Sequence, residues 1–106
     1  MSLMQLLLAG SSIASGTSIT GIYSSLNVHD ESGDILGIEV TISESYSGKY
    51  FVTFQASEGQ PRIPVVSEAN VNRNEITFHV NEKNGYQGLF RGEISSGQLK
   101  GHFEQG

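Results

Sequence analysis

Between residues 90 and 103 the side chains alternate with a period of two, which restricts this stretch to extended strands. The alternation is interrupted at Ser96 and Gly97, a combination typical of a tight two-residue β-hairpin turn. With that turn, three pairs stand opposite each other on one face: Ile94 and Leu99, Gly92 and Gly101, and Phe90 and Phe103. Glu93 then stands opposite Lys100 on the other face, a favourable opposite-charge pair. The stretch therefore predicts a complete β-hairpin with a defined register.

Five more stretches with the same alternation precede this hairpin, at about 19–29, 34–44, 49–56, 62–69 and 75–81. Even-numbered side chains are predicted to face inward in most of them, and in the first stretch these are Ile22, Ser24, Leu26 and Val28. The fourth stretch contains Pro64 and follows Pro61. Because proline cannot donate a ladder hydrogen bond, this stretch is predicted to be an edge strand or an irregular segment.

The breaks between stretches predict the registers. Residues 31–33, 46–48 and 83–85 each end in glycine and fit a three-residue loop whose last position is left-handed. Such loops pair even positions with even positions: Leu26 with Ile38, Val40 with Phe54, and Phe78 with Phe90. A two-residue turn at Asn84 and Gly85 would instead mix apolar and polar faces along one strand. The preferred registers place Phe78, Phe90 and Phe103 in one row across three strands.

This pattern predicts an all-β domain, an antiparallel up-and-down meander of about seven to eight strands that forms a small barrel. The alternative is a two-layer β-sandwich, since either arrangement disposes of the sheet edges. Simple hairpin connections favour the barrel. The strand pattern alone resembles that of lipocalin and avidin-type meander barrels, but no family motif matches, so the resemblance implies nothing about function.

The N-terminal residues lie outside this alternation. We expect residues 1–17 to form a segment that packs on the barrel or covers a partner surface, as an ordered arm or a short helix, ahead of a single β domain at 18–106. Residues 1–3 resemble an expression-vector remnant before Met4. The apolar run at 6–9 is shorter than a signal-peptide core, which favours a soluble, cytoplasmic protein over an exported one.

Composition excludes several classes of function. The chain carries six basic and eleven acidic residues, a net charge of −5, and no cluster of Lys and Arg that could bind nucleic acid. It contains no cysteine, so disulfides, thiol catalysis and thiolate metal sites are excluded. No apolar run approaches a membrane span, and no cofactor or metal motif is present. His79 and His102 are predicted to lie two strands apart, too far to share a metal ion.

Two sets of residues are candidate sites. An apolar small-molecule pocket inside the barrel would be lined by Tyr50, Phe54, Tyr86, Phe90 and Phe103, with the tyrosine hydroxyls orienting the ligand and the inward glycines leaving room. The alternative is that these rings simply fill the core. Outward apolar residues form a candidate interface, and they are Leu6, Leu7, Tyr23, Phe51 and Leu89.

Two functions follow. The first is a non-catalytic binding or interaction module that holds an apolar small ligand or pairs with a protein, for example as a homodimer. The second is a small β-barrel enzyme that uses Tyr50, Tyr86 and Glu39. A buried Glu39 or His79 facing a cavity would favour the enzyme, because a desolvated ionisable group can act as an acid or base. Glu39 is predicted to lie outside, since Ile38 and Val40 face inward. We therefore expect the binding module.

Overall fold

The computed structural model describes residues 5–12, 19–81 and 86–104, and within β1 it describes the side chains of residues 7–9 only. Nine strands account for the described secondary structure: β1 (Gln5–Ser12), β2 (Gly21–Ser24), β3 (Asn27–Val28), β4 (Ile35–Glu44), β5 (Tyr50–Gly59), β6 (Val65–Asn72), β7 (Glu75–Asn81), β8 (Gln87–Ser95) and β9 (Gln98–Glu104). No helix occurs within these ranges.

Eight of these strands form a closed antiparallel barrel. The ring runs β1, β2, β4, β5, β6, β7, β8 and β9, and β9 pairs with β1 to close it. The short strand β3 extends the sheet beside the beginning of β4. Apart from the closing pair, and from the short β3 that lies between β2 and β4 in the chain, neighbours in the ring are neighbours in sequence, so the predicted up-and-down barrel is confirmed.

Strand β1 differs from the sequence-based expectation. A short helix was one alternative for this segment, and it is wrong for residues 5–12, which pair with β2 on one side and β9 on the other. A closing strand gains hydrogen bonds along both edges, and this tertiary gain outweighs local helix preference. The division of the chain into 1–17 and 18–106 stays a prediction, because residues 13–18 lie outside the described ranges.

The hairpin of β8 and β9 has the predicted register. Phe90 stands opposite Phe103, and Glu93 stands opposite Lys100. The turn residues Ser96 and Gly97 both have positive φ, at 53° and 74°, as a type I′ turn requires.

Two upstream registers are confirmed as well, since Val40 stands opposite Phe54 and Phe78 opposite Phe90. The 46–48 loop ends in Gly48 with φ +87°, and the Ser45 N–H donates to the Lys49 carbonyl across it. The predicted 83–85 loop lies outside the described residues.

The register of β2 is shifted by one residue from the prediction. The first loop spans residues 30–33 instead of 31–33, because the His29 N–H donates to the Asp34 carbonyl at 2.7 Å and closes a four-residue turn. Tyr23 therefore stands opposite Val40. A shift of one residue moves every side chain of a strand to the other face. The inward prediction for Ile22 and Val28 is wrong, since both are exposed, and so is the outward prediction for Tyr23, which is buried.

Strand β6 begins later than predicted, at Val65 instead of residue 62. Pro61 and Pro64 both precede it, which agrees with the inability of proline to continue a ladder. The strand then runs past residue 69 to a two-residue turn at Arg73 and Asn74, where Arg73 has φ +60°. Within the part of the chain that the structure describes, β6 pairs with β7 only between Ala69 and Asn72, and its first half pairs with β5 alone.

Candidate functional site

The barrel interior is occupied by aromatic side chains from five positions on β5, β7, β8, β9 and the residue before β8. Their ring centroids are 4.8–6.4 Å apart and the contacts run Phe78–Phe90, Phe90–Phe103, Phe103–Tyr86, Phe103–Phe54, Tyr86–Phe54 and Phe54–Phe78. These separations are typical of stabilising aromatic pairs. The rings form one connected cluster, which we call the aromatic core, and its four phenylalanines are buried.

Four of the five residues predicted to line a ligand pocket therefore lie together. Phe54, Phe90, Phe103 and Tyr86 all belong to the aromatic core. Tyr50 is half-buried and packs against the core from the beginning of β5, without a ring contact within the described residues. These rings contact one another, and ligand binding by these residues stays a prediction.

The inward glycines of the last hairpin are covered by one of these rings. A Cβ atom at Gly101 would lie 2.5 Å from Cζ of Phe90, and one at Gly92 would lie 2.7 Å from Cε2 of the same ring. Both distances are shorter than real Cβ contacts. The ring of Phe90 therefore packs against the backbone at both glycines and occupies the space that their missing side chains leave.

The carboxylate that the enzyme alternative required lies on the outer face. Glu39 is half-buried, stands opposite Gln55 and Ser24, and alternates with the buried Ile38 and Val40. His79 is exposed on the outer face of β7. Within the described ranges, no group of three or more His, Asp or Glu residues could hold a metal ion.

The predicted interface residues are dispersed around the barrel. Leu7 is exposed on β1, Leu89 is half-buried on β8 with β9 between them, and Phe51 is half-buried on β5. The side chain of Leu6 lies outside the described residues. Tyr23 is buried, and its hydroxyl donates a 2.8 Å hydrogen bond to the Ile19 carbonyl. Burial of this ring raises the pKa of the Tyr23 hydroxyl above its usual range.

An uncharged outer patch was missed by the sequence reasoning. The registers place Ile22 opposite Thr41, Thr41 opposite Thr53, and Thr53 opposite Val66. Ile22 and Val66, at the two ends of the row, are 44% and 69% exposed. We use the name uncharged outer patch for these four residues. A four-residue first loop would have revealed it, because that loop turns Ile22 outward.

The opposite side of the barrel is charged. Arg91 Nε donates to Glu104 Oε2 at 3.2 Å, and His102 Nε2 lies 3.4 Å from the same oxygen. The hydrogen bond from Arg91, followed by the one from His102, lowers the pKa of the Glu104 carboxyl. All three side chains are partly or largely accessible to solvent.

Comparison with known proteins finds no matching family model and no significant match among curated proteins or solved structures. Among the described residues, no helix is long and apolar enough to cross a membrane.

Proposed function

We propose that this protein is a non-catalytic interaction module that pairs with a second copy of itself through the uncharged outer patch. The observation that carries the proposal is the row of four uncharged side chains, Ile22, Thr41, Thr53 and Val66, across four neighbouring strands. An uncharged surface with exposed apolar side chains at both ends is suited to association with another protein. Half-buried Phe51 borders this row on β5, and exposed Ile63 lies three residues before Val66.

Charge limits where a second copy can dock. Each chain carries a net charge of −5, so two copies repel each other wherever their charged faces approach. A contact made through uncharged β-branched side chains avoids desolvating those charges. A sheet face is also suited to an isologous contact, in which the same patch on both copies meets across a two-fold axis.

The filled interior supports a function carried by the outside of the barrel. The aromatic core occupies the volume that an apolar guest would need, and the described interior positions carry no Asp, Glu, Lys, Arg or His. A small domain needs such a core for its own stability.

Sedimentation velocity over a range of concentrations tests the proposal. The unaltered protein is expected to be a dimer, and Val66→Glu is expected to weaken dimerisation by about tenfold or more, because it sets two carboxylates against each other in the interface. Val28→Glu is the matched control, since Val28 is 61% exposed on β3 and lies outside the patch. A monomer at every concentration, or equal dimerisation of both variants, would overturn the proposal.

A second candidate function is the binding of an apolar small molecule in the interior. One observation favours it: among the described residues, residues 65–68 of β6 and residues 79–81 of β7 do not pair with each other, which leaves a gap in the ladder between these two strands. Phe54 stands opposite Val65 at this gap and contacts the half-buried ring of Tyr86. If the ring of Tyr86 moves aside to admit a ligand, the Tyr86→Ala variant should bind a hydrophobic dye such as anilinonaphthalene sulfonate more tightly than the unaltered protein does. No gain in dye binding would eliminate this candidate.

A further inference from the structure

A groove crosses the outer face of β1, β9, β8 and β7, on the side of the barrel away from the uncharged outer patch. Its volume is about 540 Å³, within the range of about 300–1,000 Å³ that small-molecule sites occupy. The backbones of Gly92 and Gly101, which stand opposite each other, line it together with Leu7 and several charged side chains.

One part of the groove is acidic. Glu75 on β7 stands directly opposite Glu93 on β8, and like charges in this position are unfavourable. Neither carboxylate forms an ion pair or a side-chain hydrogen bond with any other described residue. A bound cationic group would relieve their repulsion.

The other part is basic. Lys100 and His102 lie on β9, and Arg91 lies on β8 opposite His102. Lys100 stands opposite Glu93 as predicted, but no ion pair joins them among the described residues. Arg91 contacts Glu104 through Nε, so its two terminal guanidinium nitrogens have no partner within the described part of the chain. These donors can bind an anionic group.

We propose that this groove binds a short zwitterion of peptide length, with its ammonium group against Glu75 and Glu93 and its carboxylate against Lys100 and Arg91. Glu75 and Lys100 are separated by two strand spacings, or about 10 Å. An extended peptide spans about 3.3–3.6 Å per residue, so about three residues separate charges by this distance. Leu7, opposite Lys100, gives the ligand an apolar contact at the β1 end.

NMR titration of the full chain with triglycine at low ionic strength tests this assignment. Saturable shifts are expected at the amides of Gly92, Gly101 and their neighbours. Triglycine amide lacks the carboxylate and N-acetyl-triglycine lacks the ammonium group. Each is expected to bind about threefold or more weakly than triglycine, as the loss of one partly exposed charge contact predicts.

Two variants test which residue binds the ammonium group and which binds the carboxylate of the ligand. Glu93→Gln should weaken triglycine but leave N-acetyl-triglycine unchanged, and Lys100→Gln should weaken triglycine but leave triglycine amide unchanged. Glu68→Gln, on the outer face of β6, is the control that should change nothing. Shifts that do not saturate, shifts spread over other faces, or equal affinities for capped and free peptides would overturn the proposal. The Val66→Glu variant is expected to give the same titration. The test of this groove is therefore independent of the test of the proposed dimer.

Discussion

Glu104 illustrates how single residues organise the charged side of this barrel. Its carboxylate accepts from Arg91 on the neighbouring strand and lies within 3.4 Å of His102, two positions before it. The three side chains are accessible to solvent, so the contact contributes little to stability, but it fixes where Arg91 points. The orientation of Arg91 matters because this residue lines the proposed ligand groove.

The pKa of Glu104 provides a direct test of this contact. The pKa lies below the usual 4.5, chiefly because Arg91 donates to the charged form. A depressed folded-state pKa means that the interaction is fully present above the unfolded pKa and is lost as pH falls through the folded pKa. An NMR titration of the Glu104 side-chain carboxyl carbon should report this low value, and Arg91→Gln should raise it.

Lys100→Gln serves as the control for that titration, because Lys100 does not contact Glu104 among the described residues. An unchanged Glu104 pKa in Arg91→Gln would contradict the assignment.

Tyr23 shows why some residues could not be placed from the sequence. A three-residue first loop turns Tyr23 outward, and an aromatic ring with a polar hydroxyl fits either face of a strand, so the residue type did not reveal the wrong loop length. The hydroxyl reaches the Ile19 carbonyl, so burial leaves no polar group unsatisfied. Phe54, Phe78, Phe90 and Phe103 carry no polar atom and were placed correctly.

At the scale of elements, the β8–β9 hairpin depends on a pair of glycines. A Cβ at Gly101 would lie 2.6 Å from the Arg91 carbonyl oxygen and 2.9 Å from the Gly92 Cα, and neither backbone atom can move without breaking the ladder. The three atoms nearest to a Cβ at Gly92 all belong to side chains, those of Phe90 and Leu99. Side chains can adjust more cheaply than backbone.

The two alanine variants should therefore differ. Gly92→Ala should lower the free energy of unfolding by about 1–3 kcal/mol, the usual cost of overpacking, and Gly101→Ala should lower it by more. Urea unfolding of both variants measures the difference. The double variant Gly92→Ala with Phe90→Leu should lose less than the sum of its parts, because the smaller side chain removes the clash. A harmless Gly101→Ala would show that the ring does not lie against this backbone.

The loops explain which elements could be predicted. Ser96 and Gly97 allow positive φ at both central positions, so loop length and register followed from two residues. In the first loop Gly33 also has positive φ, as predicted, but one additional residue joined the turn and reversed the faces of β2. Loop length there depends on backbone hydrogen bonds from His29 to Asp34 and from Gly33 to His29, which composition does not specify.

Strand β1 could not be predicted from the sequence, for a different reason. The run at Leu6, Leu7 and Leu8 does not alternate, and its partner β9 is almost a full chain length away. Only closure of the barrel defines this strand, and closure is a property of the whole sheet. In the structure Leu8 is fully buried while Leu7 is 57% exposed, so the alternation exists in the fold although the sequence does not display it.

At the scale of the whole molecule, aromatic rings occupy the interior of the barrel, and both proposed binding surfaces lie on its outside. The aromatic core occupies the centre, the uncharged outer patch lies on β2, β4, β5 and β6, and the charged groove lies on β7, β8, β9 and β1. The two proposed binding surfaces, which differ in chemistry, therefore lie on opposite sides of one ring of strands. The aromatic core and the barrel were predictable from periodicity. The uncharged outer patch required the true β2 register, and the charged groove required the three-dimensional shape of the sheet.

The barrel interior is expected to bind no ligand, and the outer surface is expected to bind a second copy. Native mass spectrometry of the purified protein tests both expectations most directly, because one spectrum reports both the number of chains and any retained molecule. We expect a species of twice the 11.4 kDa chain mass with no apolar molecule attached. A single-chain species at every concentration, or any species that retains an apolar molecule, would contradict the account.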